Sequence, residues 1–152
     1  MQLSLGEIAK QIADTSLTVD IPDPLVIDLS PADIASLVAR SSNAYGRATR
    51  LAGLARAEAK RAKGRYEQKL RRSRLIGKND YERTANAAEA TEAEHDAWLE
   101  ADHVATICES VEDACRVASE SSRKLLDKIE ALGMAAAREL RGAYREDDFT
   151  PY

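Results

Sequence analysis

From Ile34 onward a row of small apolar residues recurs every three or four positions: Ile34, Val38, Ser41, Tyr45, Ala48, Ala52, Ala55, Ala59, Ala62 and Tyr66. Nine of these ten are apolar or aromatic, the pattern of a long helix that buries one narrow seam. The middle of the row is alanine, so a partner helix can approach closely there. A second row steps from Ala101 through Val104, Cys108, Val111, Cys115, Ala118, Ser122, Leu125, Ile129 and Leu132 to Ala136, and only Ser122 breaks it. Two such seams constrain the chain to a pair of long helices laid side by side. The expected fold is all-α: a long, coiled-coil-like antiparallel helical hairpin with a short N-terminal helix and an extended arm.

The punctuation places the boundaries. Ser4 and Glu7 form a capping box for a short helix carrying Leu5, Ile8, Ala9 and Ile12. Pro22 and Pro24 block a helix between Leu17 and Leu29, where Val26, Ile27 and Leu29 favour a strand-like arm. Ser30 as N-cap, Pro31 at the first helical position and Asp33 near the positive end of the dipole start the first long helix. That helix is expected over about 31–74, and a second over about 80–145, with the break at Ile76-Gly77-Lys78-Asn79-Asp80. Residues 1–29 thus form an N-terminal helix and arm, 30–145 the hairpin and 146–152 a tail. Reflection about Gly77 sets Lys60 opposite Glu94 and Pro31 opposite Arg123, leaving about five or six turns of the second helix overhanging. Leu125, Leu126, Ile129, Leu132 and Met134 then need cover, from the N-terminal helix or from another subunit. A lone two-helix hairpin cannot enclose a core, so a homo-oligomer is expected. Gly46, Gly53 and Gly64 each cost about 1 kcal/mol of helix propensity, which close packing would offset.

Charged residues make up 32% of the chain and aromatics 5%, a composition that favours long helices over a compact enzyme. No apolar run is long enough to span a bilayer, and the start lacks the basic and apolar regions of a signal peptide. Cys108 and Cys115 lie on one helix face, too far apart to bridge each other, and read as reduced, buried residues of a cytoplasmic protein. Glu92 with His95 and Glu100 with His103 match the Glu-x-x-His element of di-iron bundles, but both pairs fall on one helix, roughly 12 Å apart. No phosphate-cradling glycine loop, zinc-type cysteine spacing or activated nucleophile is present, so neither catalysis nor a cofactor or metal is expected.

Charge is segregated. Between Arg56 and Lys78 there are ten Lys or Arg against two Glu, and between Asn79 and Asp113 eleven Asp or Glu against Arg83 alone. Arg56, Lys60, Lys63, Arg71, Arg74 and Lys78 line one flank of the first long helix, with Arg61, Arg65, Lys69 and Arg72 on the other. Ion pairing to the neighbouring acidic helix would fix the register and absorb this charge. The alternative is geometric: cations surround the helix on every side except the seam, and one neighbour cannot cover them all. The surplus would form a ridge able to follow a phosphate backbone, with Tyr66 available either to stack on a base or to pack in the seam. Arg116, Arg123, Lys124 and Lys128 form a second basic group, matched by Glu120, Asp127 and Glu130 as a solvated face.

The C-terminal Glu146-Asp147-Asp148-Phe149-Thr150-Pro151-Tyr152 is either a disordered acidic end or a partner-binding tail. It resembles the acidic, Pro-aromatic tips of bacterial single-stranded DNA-binding proteins, with Asp147, Asp148, Phe149, Pro151 and Tyr152 as the recognised residues. The order of features resembles the UvsY-type recombination mediators of tailed phages over roughly residues 30–135. The residues that carry this are the basic Ala59-Lys60-Arg61-Ala62-Lys63-Gly64-Arg65-Tyr66, whose Lys63-x-Arg65-Tyr66 is similar to that family's DNA-contacting segment, and the later Ser121-Ser122-Arg123. The heavy acidic run from Glu89 to Asp113 departs from the family.

The resemblance implies a ring-like homo-oligomer that binds single-stranded DNA, loosens single-strand-binding protein and helps load a RecA-type recombinase in the cytoplasm of a host cell. Arg56, Lys60, Arg61, Lys63, Arg65, Lys69, Arg71, Arg72 and Arg74 are the candidate phosphate contacts. A helical structural or assembly protein with no DNA role would carry the same hairpin, with its basic ridge consumed in ion pairs.

Overall fold

A computed structural model of the chain describes residues 3–16 and 30–146, with the backbone alone at 16, 31 and 140–146. Three helices make up this part: α1 (Leu5–Ser16), α2 (Pro31–Ser73) and α3 (Asp80–Glu146). The arm expected over Leu17–Leu29 and the tail residues Asp147, Asp148, Phe149, Pro151 and Tyr152 lie outside the described residues.

Each helix begins at a cap that its sequence provides. Before α1, the Ser4 amide donates to Glu7 Oε2 at 2.7 Å and the Glu7 amide donates to Ser4 Oγ at 3.3 Å. Ser30 and Asp33 repeat this box at α2, at 3.1 and 3.2 Å. Their cap hydrogen bonds hold the Glu7 and Asp33 carboxyls below the ordinary carboxylate range. Asn79 Oδ1 accepts from the Glu82 amide at 2.9 Å and so starts α3.

At 43 and 67 residues, α2 and α3 run for about 65 and 100 Å. They pack antiparallel along the alanine seam. Ala48, Ala52 and Ala55 are fully buried, Ala59 and Ala62 nearly so, and they face Ala101, Ala105, Cys108 and Cys115 in one core. Every member of the α2 row is buried or half-buried. The α3 row is covered as far as Ile129, whereas Leu132 is 62% exposed. The polar members of the seam cost little, because each hydroxyl donates to its own helix. Ser122 Oγ reaches the Ala118 carbonyl at 2.8 Å and Thr91 Oγ1 the Ala87 carbonyl at 2.7 Å.

Helix α1 packs on the middle of the hairpin and not on its overhang. Ile8 and Ile12 join Ala44 and Leu51, which lie one position around α2 from the seam, in the same core. The start of α1 forms a cleft with Leu54 and Ala62 of α2 and Ala97 and Ala101 of α3. Of the two covers expected for the far end of α3, α1 is therefore not the one: Leu132 and Met134 stay exposed.

The register also differs from reflection about Gly77. Lys69, not Lys60, meets Glu94, and Ser42, not Pro31, meets Arg123. The link accounts for the shift. Gly77 (φ 145°) bends the chain back so that its carbonyl accepts from Arg83 Nε at 3.0 Å, and the Ile76 carbonyl accepts from Asn86 Nδ2 at 3.4 Å. A Cβ on Gly77 would stand 2.9 Å from the Arg83 amide nitrogen, so glycine is required here. The link thus pairs with the first turns of α3, the reversal falls near Asp80, and the overhang shortens to about four turns.

No atom of α1 or α3 lies within 4 Å of where a Cβ would stand on Gly46, Gly53 or Gly64. The close approach expected at these glycines is not made inside the chain. No helix among the described residues is long and apolar enough to cross a membrane.

If alanine sets the α2–α3 spacing, Ala52→Leu should destabilise the protein by about 1–3 kcal/mol through overpacking. Exposed Ala57→Leu should stay within about 0.5 kcal/mol of the native chain. Urea denaturation followed by helical circular dichroism measures both.

Candidate nucleic-acid interface

The basic half of α2 lies beside the acidic start of α3, and the contacts between them separate paired cations from unpaired ones. Two residues reach across. Arg56 Nε lies 2.8 Å from Glu109 and its Nη2 also binds Glu112, while Lys69 Nζ binds both oxygens of Glu94 at 2.6 and 2.7 Å. The Lys69 hydrogen bond holds the Glu94 carboxyl below its usual range. Arg61 and Arg65 turn back to Glu58 of their own helix, at 3.4 and 3.3 Å. Such exposed pairs are worth about 0–1 kcal/mol each, so they set register more than they hold the hairpin together.

Among the described residues Lys60, Arg71, Arg72, Arg74 and Lys78 are exposed and make no ion pair, and Lys63 instead lies over the Trp98 ring, 5.5 Å from its centroid. Of the nine sequence-predicted contacts, the structure ties up Arg56, Lys69, Arg61 and Arg65 to differing degrees and leaves Lys60, Arg71, Arg72 and Arg74 open. The acidic side has its own surplus: Glu89, Glu92, Glu100 and Asp102 are exposed with no ion-pair partner among the described residues.

Tyr66 packs in the seam. Its ring stacks on Trp98 at 5.6 Å and 20° and meets His95 at 5.2 Å, so these contacts take up the ring that could have stacked on a base. Trp98, His95 and Lys63 form this cluster with it, and the sequence reading had missed Trp98. The signal was there: Trp98, Glu94, Thr91 and Ala87 continue the α3 row upstream of Ala101, and all are buried or half-buried.

Ser122 is buried in the seam, while Arg123 Nη2 donates to Ser42 Oγ at 3.4 Å. Burial pushes both the Cys108 and Cys115 thiols above their usual range, which leaves them protonated at neutral pH. Among the described residues no cluster of His, Cys, Asp and Glu has the makings of a metal site, and His95 of the first Glu-x-x-His pair is held in the aromatic cluster.

The fold and its charges define a helical hairpin with one basic and one acidic flank. The chain matches no family model, no curated protein and no solved structure.

Lys69→Met should return the Glu94 carboxyl upward toward the ordinary glutamate range. Because its pKa is lowered in the folded chain, the stabilisation from this pair is present above that range and is lost as the pH falls through the lowered value. An NMR titration of the Glu94 side-chain carboxyl in both chains measures the change.

Proposed function

We propose that this chain is a non-catalytic, single-stranded DNA-binding protein that works as a homo-oligomer. Its role on this reading is that of a recombination mediator, displacing single-strand-binding protein and helping to load a RecA-type recombinase. One observation carries the DNA-binding part. With an acidic helix alongside, Lys60, Arg71, Arg72 and Arg74 still have no carboxylate partner among the described residues. Lys60, Arg71 and Arg74 on one flank of α2, with Arg72 on the other, suit a phosphate backbone, whose neutralisation releases condensed counterions. The mediator role rests on the resemblance of the basic Ala59–Tyr66 segment and of the order of helices.

Self-association is supported by exposed apolar surface. Leu99, Val117, Leu132 and Met134 are each about half exposed or more along α3.

The second reading, an assembly protein without DNA, is favoured by the open glycines and the unpaired acids. Gly46, Gly53 and Gly64 share the outward face of α2, and the α3 of a second copy, with its free carboxylates, would complement that face. Basic ridge and acidic flank would then neutralise each other between subunits.

The two readings part in a fluorescence-anisotropy titration of a labelled single-stranded oligonucleotide at several salt concentrations. DNA binding should weaken log-linearly with salt, and Lys60→Ala with Arg71→Ala and Arg74→Ala should reduce it by at least tenfold while sedimentation shows the oligomer unchanged. Loss of the oligomer in that variant would assign these cations to assembly instead. Gly46→Ala with Gly53→Ala supplies the converse check. On a solvent-facing helix the pair should raise stability by about 1 kcal/mol per site, and dissociation of the oligomer would place a neighbouring subunit there.

A further inference from the structure

The turn of the hairpin carries an exposed apolar group that the hairpin itself has no use for. Leu75 is 82%, Ile76 65% and Tyr81 84% exposed, the largest exposures among the large apolar side chains of the described chain. These residues do not sit on a slack loop. The amides of Leu75 and Ile76 donate to the Arg72 and Ser73 carbonyls at 3.2 and 3.1 Å, continuing the end of α2. The Lys78 amide donates to Glu82 Oε2 at 3.0 Å, and the Arg83 amide and guanidinium bind the Asn79 and Gly77 carbonyls. A turn hydrogen-bonded at nearly every step presents three large side chains to solvent, where burying any one of them elsewhere would have been favourable.

The surroundings select the partner. Arg71, Arg72, Arg74 and Lys78 flank the group in the last turn of α2 and the link, exposed and with no ion pair among the described residues. The acids of the turn itself are engaged locally, Asp80 with Arg83 at 3.8 Å and Glu82 with the Lys78 amide, while Glu89 and Glu92, two to three turns farther along α3, have no ion pair among the described residues. An anionic partner that also offers flat, apolar faces fits this combination. Single-stranded nucleic acid is such a partner, since each nucleotide pairs one phosphate with one unstacked base. Lys60 and Lys63 lie farther back on the flank of α2 that carries Arg71 and Arg74, with exposed Glu67 between them and the turn.

We infer that the hairpin turn is a base-stacking platform for single-stranded nucleic acid: Tyr81 takes a base on its ring, Leu75 and Ile76 shield it, and Arg71, Arg72, Arg74 and Lys78 hold the flanking phosphates. This rests on the DNA-binding reading above and moves its aromatic contact from Tyr66, which the seam occupies, to Tyr81. Tyr81 adds sequence-tolerant affinity, because every base has a face to stack.

The test uses the full chain, a labelled oligothymidylate and the same oligonucleotide made abasic, compared by anisotropy. Tyr81→Ala should bind the normal strand about tenfold more weakly, with an unchanged salt slope because no charge is lost, and Tyr81→Phe should bind like the native chain. The native chain should lose a similar factor on the abasic strand, and Tyr81→Ala should hardly distinguish the two strands. Equal binding by native chain and Tyr81→Ala, with the native chain binding DNA, overturns the platform and leaves the DNA-binding reading standing. Absence of DNA binding by the native chain overturns both. Co-sedimentation with phosphatidylserine vesicles in place of DNA binding would reassign the turn to a membrane surface and also overturn the proposal. Tyr81 lies outside the seam, so unchanged circular dichroism confirms that the variant is folded.

Discussion

Alanine at Ala48, Ala52, Ala55, Ala59 and Ala62 lets α2 and α3 approach until little but methyl groups separates them, and the rest of the molecule is arranged around that approach. A seam this narrow buries few atoms per turn, so it needs length to accumulate stabilisation, and the helices are correspondingly long. It also leaves no room for a third layer except where α1 lays Ile8 and Ile12 beside Ala44 and Leu51. Larger side chains are pushed to the periphery, where Leu99, Val117 and Leu132 are about half exposed or more. Dependence on a thin seam and the apolar surface it leaves behind thus have one cause.

Much of the fold was legible because helices announce themselves locally. The capping boxes at Ser4 and Ser30, the break around Gly77 and the three-four spacing of the α2 row are all short-range patterns, and the structure shows each of them. What escaped were relations between segments. The register could not be read by reflection, because whether the link pairs with α2 or α3 depends on hydrogen bonds from Arg83 and Asn86 that no periodicity encodes. The upstream α3 row was overlooked because Thr91 and Glu94 interrupt it with polar side chains, although Thr91 satisfies its hydroxyl on its own helix and packs as an apolar residue would. The seat of α1 was equally hidden, since it depends on a second buried row, Ala44 and Leu51, that seam counting passes over.

The candidate site was legible as composition but not as availability. Counting charges shows a basic segment facing an acidic one, and leaves open both neutralisation between the helices and a surplus on the outer side. Among the described residues Arg56 and Lys69 reach carboxylates of α3 and Lys63 reaches the Trp98 ring, while Lys60, Arg71, Arg72 and Arg74 make no ion pair. The helical repeat distributes ten basic residues around a cylinder of which a neighbour touches one strip. Unpaired charge of opposite sign on the two outer flanks follows directly, and it leaves the hairpin with a basic and an acidic side.

The reversal near Asp80 has a kinetic consequence. Every contact between α2 and α3 closes a loop whose length grows steadily with distance from the turn, from the Gly77–Arg83 bond to the contact between Ser42 and Arg123. Closing the short loops first costs the least chain entropy, so the hairpin zips from its turn toward its open end. Opening runs in reverse, which makes the turn the last part to come apart and the Ser42 end the first to breathe. Loop closure is thus graded along the chain, cheapest at the turn, which carries unpaired cations, and dearest toward the end where Leu132 and Met134 stand exposed.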